Sequence, residues 1–218
     1  MTNDNRSARL RYDDGCLAAH SLNLIGDRWA LLVVRELMFT PKRFQMIRAG
    51  LPGITASVLT GRLAQLRDVG VVDHDTRLGI YSLTEMGRGL LPVLEALCRW
   101  SLMAPGHDPR RFISPSALMI SMRVNLIPDA AQGTDAHAGF DFGTEAFEMR
   151  LTGGTLETRP VNTPDAPFVL KGTGNTVGFT VYGAAPVELM MKEGFISAEG
   201  DLTAAQSFVD LFRLDRTA

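Results

Sequence analysis

Cysteine is scarce in this sequence, with only Cys16 and Cys98 among 218 residues. Two cysteines cannot build the disulfide framework of a small secreted domain, so each is expected to be a buried or a reactive thiol. Long apolar runs are also missing, because no stretch approaches the roughly 18 residues that a membrane-spanning helix needs. The chain begins with polar residues where a secretory signal would be apolar. These absences predict a cytoplasmic protein with no membrane association.

Clusters of catalytic or metal-binding residues are lacking as well. The four histidines, His20, His74, His107 and His137, lie far apart and without metal-ligand spacing. No Gly-x-Ser-x-Gly motif is present, and GTGNTVG at 172–178 departs from the dinucleotide-binding pattern. The sequence therefore predicts a protein that is not an enzyme and that holds neither a metal nor a cofactor.

Charge is divided unevenly along the chain. Residues 1–111 carry 15 Lys and Arg against 11 Asp and Glu, whereas residues 112–218 carry 7 against 13. The stretch SLMAPGHDPRRFISPS at 101–116 holds three prolines and separates a helical pattern from a strand-like one. We therefore predict two domains, 1–104 and 105–218, of which the basic first one binds a polyanion.

The first half reads as a series of helices. LAAHSLNLIGD from Leu17 and the apolar run RWALLVVRELMF at 28–39 predict two core helices. Thr40 as N-cap and Pro41 at the first helical position predict a third helix, which ends at Gly50. After a Pro-Gly turn, a fourth helix is expected to begin at Thr55.

The fourth helix has two distinct faces. Leu59, Leu63 and Leu66 are spaced to face the core, which directs small and polar side chains outward. Two short helices joined by a tight turn are the helix-turn-helix arrangement, and small residues let the second helix enter the major groove. A hairpin with Arg77 near its tip is predicted to form a wing. The predicted DNA contacts are Lys42, Arg43, Thr55, Ser57, Thr60, Arg62, Gln65 and Arg77.

A long helix is predicted after the wing, capped by Thr84 and continuing through residues 85–103. Its apolar stripe is broader than one core needs, so part of it is interpreted as a dimer seam.

These motifs resemble the HxlR family of winged-helix transcriptional regulators over about residues 15–101. The resemblance rests on LNLIGDRWALLVVREL, KRF at 42–44, LPGITASVLTGRLAQLRDVGVV and YSLTEMGRGLLPVLEAL. It implies a homodimer that binds an operator of approximate two-fold symmetry, with the helix after LPGI as the reading element.

Cys16 allows two interpretations. In redox-sensing relatives a cysteine near this position forms a disulfide, which would make the protein a redox-sensing regulator. Asp13 and Asp14 are expected to raise the thiol pKa, and this favours a half-buried, inert thiol. Cys98 is expected to be a packing residue.

The second half reads as strands followed by helices. LMISMRVNL at 118–126 alternates apolar and polar residues and predicts a strand. AGFDFG at 138–143 predicts another strand, and a hairpin is expected around Gly153-Gly154. Short helices and one strand follow, before a final helix capped by Asp201. This order predicts an antiparallel sheet with helices on one face and, for the whole chain, a two-domain α+β protein.

Residues 113–214 resemble the sterol-carrier-protein-like fold through RLTGGTLE and the segment EGFISAEGDLTAAQSFVDLFRL. The resemblance implies an apolar tunnel for a hydrophobic small molecule, and soft apolar side chains suit such a pocket. The alternative is that they fill the core. The predicted ligand contacts are Met119, Phe140, Phe142, Phe147, Phe179, Met190, Met191 and Phe195.

Together these features predict a dimeric transcriptional regulator that acts as a repressor and whose operator affinity responds to a hydrophobic or aromatic effector. Two alternatives stay open. One is redox sensing through Cys16, and the other is a lipid-binding or small-molecule-binding protein without DNA function.

Overall fold

The computed structural model describes residues 11–214. The predicted domains extend past this range at both ends, and most of the polar N-terminal segment also lies outside the described residues. Within residues 11–214 the helices are α1 (Leu17–Ile25), α2 (Ala30–Leu37), α3 (Phe44–Ala49), α4 (Ala56–Asp68), α5 (Glu85–Arg88), α6 (Leu91–Leu102), α7 (Pro115–Val124), α8 (Pro128–Ala131), α9 (Gly174–Tyr182), α10 (Val187–Lys192) and α11 (Leu202–Val209). The strands are β1 (Lys42–Arg43), β2 (Val72–Asp75), β3 (Ile80–Leu83), β4 (Ala136–Asp141), β5 (Ala146–Thr152), β6 (Thr155–Val161), β7 (Phe168–Lys171) and β8 (Ser197–Gly200).

The N-terminal unit is a winged helix-turn-helix. Helices α3 and α4 are joined by a turn at Gly53, whose φ of 86° is readily adopted only by glycine. The Thr55 hydroxyl accepts a hydrogen bond from the Val58 amide and caps α4, as the sequence predicts. Strands β1, β3 and β2 form a small antiparallel sheet in that order, so the predicted wing is present.

The leucine face of α4 is confirmed. Leu59, Leu63 and Leu66 are each at most 1% exposed and pack in the N-terminal core with side chains of α2. The spacing of three and four residues places them along one side of the helix, so α4 keeps its polar side toward solvent.

Three predictions for the N-terminal half are wrong. Helix α1 forms but buries only Ala19, so it is not a core helix within this chain. Thr40 and Pro41 do not begin a helix, because Lys42 and Arg43 pair with β3 and α3 starts at Phe44. The long helix after Thr84 is divided into α5 and α6, since Gly89 ends the first segment.

The C-terminal unit contains a five-stranded sheet in the order β6-β5-β4-β7-β8. The hairpin around Gly153-Gly154 joins β5 and β6, and Asp201 caps α11 through the amides of Thr203 and Ala204, as predicted. The sheet is mixed rather than antiparallel, because β4 and β7 pair in parallel. The connection between those two strands therefore crosses over and cannot be a simple hairpin.

Residues 118–126 were expected to form a strand, but most of them belong to helix α7. Ser114 caps this helix by accepting from the Ala117 amide, and Pro115 occupies its first turn. Leu118, Met119 and Met122 pack in the C-terminal core, whereas Ile120 packs in the N-terminal core. A helix that is buried on two sides carries apolar residues all round, so the 3.6-residue period of a one-sided helix is not visible in its sequence. The apolar and polar residues of such a helix can then alternate as they do in a strand.

Helix α7 also links the two units through a charged side chain. The Arg123 guanidinium donates through Nε to Glu95 Oε1 of α6 at 2.7 Å and through Nη1 to the Leu156 carbonyl of β6. One arginine thus ties the last helix of the winged unit to the C-terminal sheet.

Gly50 and Gly61 form a matched pair for testing the packing of the helix-turn-helix. A Cβ at Gly50 would collide with the buried Glu36 carboxylate, whereas one at Gly61 meets nothing within 4 Å. Gly50→Ala is therefore expected to lower the unfolding free energy by about 1–3 kcal/mol. Gly61→Ala, inside α4, is expected to raise it by roughly 0.5–1 kcal/mol, because alanine loses less backbone entropy.

Urea unfolding of both variants, followed by circular dichroism, measures these changes. Equal effects of the two substitutions would show that Gly50 is not constrained by Glu36.

Candidate nucleic-acid interface and the buried Lys42 cluster

The exposed surface of the helix-turn-helix holds most of the predicted DNA contacts. Thr55, Ser57 and Thr60 are exposed on α4, Arg43 is exposed on β1, and Arg77 is exposed at the tip of the wing. In the wing, the Asp75 carboxylate accepts from the amides of Arg77 and Leu78 and so fixes the turn. Hydroxyls and guanidinium groups of this kind are suited to phosphate and base-edge contacts.

Arg62 is held inside the protein more than the sequence suggested. Its guanidinium pairs with Asp27, before α2, and donates to the Gln65 amide oxygen. Its side chain is 22% exposed. Gln65 is itself buried and donates to the Leu24 carbonyl. Gln65 therefore cannot reach DNA in this arrangement, and Arg62 braces α4 against the segment between α1 and α2.

Lys42 is the clearest correction among the predicted DNA contacts, because its side chain is only 1% exposed. Successive side chains of a strand point to opposite faces, so β1 directs Arg43 to solvent and Lys42 inward. The Lys42 ammonium donates to Glu36 at 3.3 Å, Ser116 Oγ at 3.0 Å and Glu145 at 2.8 Å. It is a structural cation between the two units.

We call the group of Arg35, Glu36, Lys42, Ser114, Ser116 and Glu145 the Lys42 cluster. Glu36 is its centre, since its Oε1 accepts from the Ser114 hydroxyl at 2.6 Å and from Arg35 Nη2 at 2.8 Å. Arg35 Nη2 also donates to the Gly50 carbonyl at 3.0 Å. The cluster therefore connects α2, the end of α3, the first turn of α7 and the loop between β4 and β5.

Glu145 is paired with Lys42 through both of its carboxylate oxygens. Lys42 Nζ lies 2.8 Å from both carboxylate oxygens and donates to Oε2, whereas Oε1 receives no hydrogen bond of good geometry in the described part of the chain. Burial, reinforced by the nearby Glu36 charge, raises the pKa of the Glu145 carboxyl above its ordinary range, although Lys42 opposes this shift. Lys42 is thus the group that favours the ionised form of the Glu145 carboxyl.

Sequence reasoning missed Glu36, Ser114, Ser116 and Glu145. Glu36 offered one signal, because it is a charged residue inside the apolar run of α2, and a charge in such a position is expected to be paired. The other three carried no signal, since their partner is distant in the chain.

The predicted ligand contacts differ in burial. Most of them fill the C-terminal core, which favours the interpretation as packing residues, and two lie on the surface. Met119, Phe140, Phe147 and Met190 are buried, Phe142 and Met191 pack against them half-buried, and Phe179 and Phe195 are exposed.

Cys16 is exposed rather than half-buried, and its pKa is lowered rather than raised. It precedes α1, where hydrogen bonds from the Ala19 and Ala18 amides stabilise the thiolate. The increase in the Cys16 pKa that was expected from Asp13 and Asp14 is not found, because these hydrogen bonds lower the pKa. Burial raises the pKa of the Cys98 thiol, which is consistent with a packing role.

Residues 11–214 contain neither a membrane-spanning helix nor a metal-binding group of side chains. In this range no helix combines the length and the apolar character needed to cross a bilayer. Nor does the same range contain three or more His, Cys, Asp or Glu side chains grouped to hold a metal ion.

Comparison with known proteins places the helix-turn-helix in a family. Residues 24–107 match the HxlR-like helix-turn-helix family. An uncharacterized HTH-type transcriptional regulator from Methanothermobacter thermautotrophicus is 33% identical over 98 residues, covering 43% of this chain and 75% of the relative. The uncharacterized HTH-type transcriptional regulator YvaP of Bacillus subtilis is 36% identical over 86 residues, covering 37% of this chain and 80% of that relative.

Among solved structures, the reduced form of the transcriptional regulator YodB from B. subtilis is similar in sequence. It is 32% identical to this chain, and the alignment covers 42% of this chain and 98% of that one with a TM-score of 0.38.

The raised pKa of Glu145 gives a prediction for stability. Because the folded chain binds this proton more tightly than the unfolded chain, the contribution is fully present below the ordinary glutamate pKa. It is lost as the pH rises through the raised pKa. The unfolding free energy of the wild type, relative to Glu145→Gln, should therefore fall across that window.

Urea unfolding at a series of pH values measures the difference, with the exposed Glu188→Gln as control. A wild-type curve parallel to that of Glu145→Gln would contradict the raised pKa.

Proposed function

The chain belongs to the HxlR-like helix-turn-helix family of transcriptional regulators, and we propose that it binds a specific operator as a homodimer whose affinity responds to a small molecule. The observation that carries the DNA-binding part is the exposed polar side of α4 beside the wing. Ser57 and Thr60 present hydroxyls, and Gly61 leaves room for close approach to a base edge.

Phosphate contacts are assigned to arginines on both sides of α4. Arg43 precedes α3, and Arg77 lies on the wing. Each can therefore reach a phosphate of the DNA backbone beside the major groove that α4 enters. Lys42, Gln65 and, in its observed pairing, Arg62 are left out of the proposed interface.

The homodimer is supported by apolar side chains that this chain leaves in water. On α6 and just after it, Trp100 is 63% exposed and Met103 is 68% exposed, and Leu17 on α1 is 82% exposed. Contiguous exposed apolar residues indicate a protein interface. Two protomers would place their α4 helices in successive major grooves about 34 Å apart.

The C-terminal unit is proposed to be the sensing unit, in a fold similar to the sterol-carrier-protein-like fold. Its mixed sheet, the helix α11 that packs on it and the helix α9 that packs against α11 support this assignment. The domain division near residue 104 belongs to the same proposal. We also propose that the protein represses transcription and that binding of the effector relieves this repression.

Arg77→Ala tests the wing contact. It should weaken binding to operator and unrelated duplexes alike and lower the slope of log affinity against log salt by about one for each bound protomer. Arg150→Ala is the matched control, because Arg150 is an exposed arginine on β5 of the C-terminal sheet. Fluorescence anisotropy at several salt concentrations measures both variants. If the two variants give the same salt slope, Arg77 is not at the interface.

A second candidate function is redox control through Cys16. The observation that favours it is the exposed thiol with a lowered pKa at the start of α1. Thiolate character and exposure are the properties that make a cysteine susceptible to oxidation. Because α1 also carries the exposed Leu17, a change at Cys16 would act on the proposed dimer interface.

The test compares Cys16→Ser with Cys98→Ser after treatment with hydrogen peroxide. If redox control operates, peroxide changes the operator affinity of the wild type and of Cys98→Ser but not of Cys16→Ser. The half-buried Cys98 with its raised pKa is the matched control. An unchanged wild type after peroxide treatment would exclude this function and leave Cys16 as an inert thiol.

A further inference from the structure

A cavity of about 390 Å³ lies where the helix-turn-helix meets the C-terminal unit. Its wall is formed by α3, by residues 112–115 before and within α7, by the loop between β4 and β5, and by residues 173–175 at the start of α9. The exposed residues Phe112 and Thr144 are at its mouth. The cavity is distinct from the C-terminal core in which most of the predicted ligand contacts are packed.

The wall of the cavity combines aromatic surface with hydrogen-bond acceptors. Phe112 and Phe142 supply apolar surface, and the charged residues that line the cavity, Glu36 and Glu145, are both acidic. Lys42 and Arg35 bind these carboxylates without lining the cavity themselves. An occupant therefore meets acceptors and no cationic side chain, which disfavours an anion.

The polar feature that is open to an occupant is the Glu145 carboxylate. Its side chain is 7% exposed, and Lys42 Nζ lies 2.8 Å from each of its two oxygens. Lys42 donates to Oε2, and within residues 11–214 Oε1 receives no hydrogen bond of good geometry. At the start of α9, which also lines the cavity, Thr173 and Thr176 form a reciprocal capping box that already provides hydrogen-bond partners for the backbone amides there. Each carboxylate oxygen can accept more than one hydrogen bond, so a ligand donor would add a second partner to a buried acceptor that otherwise depends on one ammonium.

We propose that this cavity binds a small aromatic molecule with a hydroxyl or amine head, which stacks against Phe112 and Phe142 and donates a hydrogen bond to Glu145. A size of 390 Å³ falls within the range of small-molecule pockets, roughly 300–1,000 Å³, and such pockets combine an apolar wall with few polar groups. The proposal moves the effector site out of the C-terminal core and into the junction between the two units.

The regulatory consequence rests on the proposed DNA-binding function. Met46, Ala49 and Gly50 bring α3, the first helix of the helix-turn-helix, into the cavity wall. Gly50 leaves no room for a Cβ beside the Glu36 carboxylate, its carbonyl accepts a hydrogen bond from Arg35, and the turn to α4 follows it directly. A ligand that favours one position of α3 therefore changes the affinity of α4 for DNA, and DNA changes the ligand affinity by the same factor.

The first experiment titrates the full chain with 2-naphthol, its methyl ether 2-methoxynaphthalene, and 2-naphthoate, followed by calorimetry. The three probes share one ring system and differ in the donor and the charge. We expect 2-naphthol to bind about tenfold more tightly than the ether, because a hydrogen bond to a charged group is lost, and naphthoate to bind more weakly still. No binding of 2-naphthol, or equal binding of naphthol and ether, overturns the proposal.

The second experiment uses two matched phenylalanines. Phe112 is 53% exposed and Phe179 is 54% exposed, but only Phe112 lines the cavity, so neither substitution removes a core side chain. Phe112→Ala should weaken 2-naphthol binding several-fold, whereas Phe179→Ala should leave it unchanged. Glu145→Gln should weaken it by about tenfold, since the charge on the acceptor is removed. Equal effects of the two phenylalanine substitutions overturn the proposed location.

Operator affinity with and without 2-naphthol separates this inference from the proposed function. A chain that binds 2-naphthol but no DNA contradicts the proposed function and leaves the cavity assignment supported. A chain whose DNA affinity does not respond to bound 2-naphthol refutes the coupling through α3. A response that Phe112→Ala abolishes and Phe179→Ala retains supports both the site and the coupling.

Discussion

A lysine ammonium removed from water costs several kcal/mol unless carboxylates and hydroxyls replace its hydration. For Lys42 these partners come from both halves of the chain, since Glu36 precedes it while Ser116 and Glu145 follow the proline-rich segment. The charge is satisfied only when the C-terminal unit lies against the winged helix. Other placements would leave a buried ion without its partners, so the cluster selects the observed arrangement, and the cavity beside it exists because of that arrangement.

The winged helix could be predicted from the sequence because its signals are local. The hydroxyl of Thr55, the glycine turn before it and the spacing of Leu59, Leu63 and Leu66 each act within a few residues. The hairpin of β5 and β6 and the Asp201 cap are of the same kind. Where neighbouring residues determine an element, periodicity and capping were sufficient.

The features that could not be predicted depend on residues far apart in the chain. Lys42 looked like a phosphate contact because its two acidic partners and its strand pairing with Tyr81 were invisible in the sequence. The parallel pairing of β4 with β7 requires a crossover that alternation alone cannot reveal. The same holds for the candidate ligand site, because Phe142 was predicted as a contact while Phe112 and Glu145, which line the same cavity, were not.

Helix α7 belongs to neither half alone, since Ile120 completes one core and Leu118 and Met122 complete the other. A fragment that ends before α7 exposes to water the part of the N-terminal core that Ile120 covers. A fragment that begins after α7 lacks Leu118 and Met122 of the C-terminal core. The proline-rich segment at 101–116 is thus a boundary in composition, whereas α7, which begins at its end, packs in both cores. The two halves are expected to melt as one cooperative unit, so damage to the C-terminal half would also lower the amount of folded DNA-binding surface in a cell.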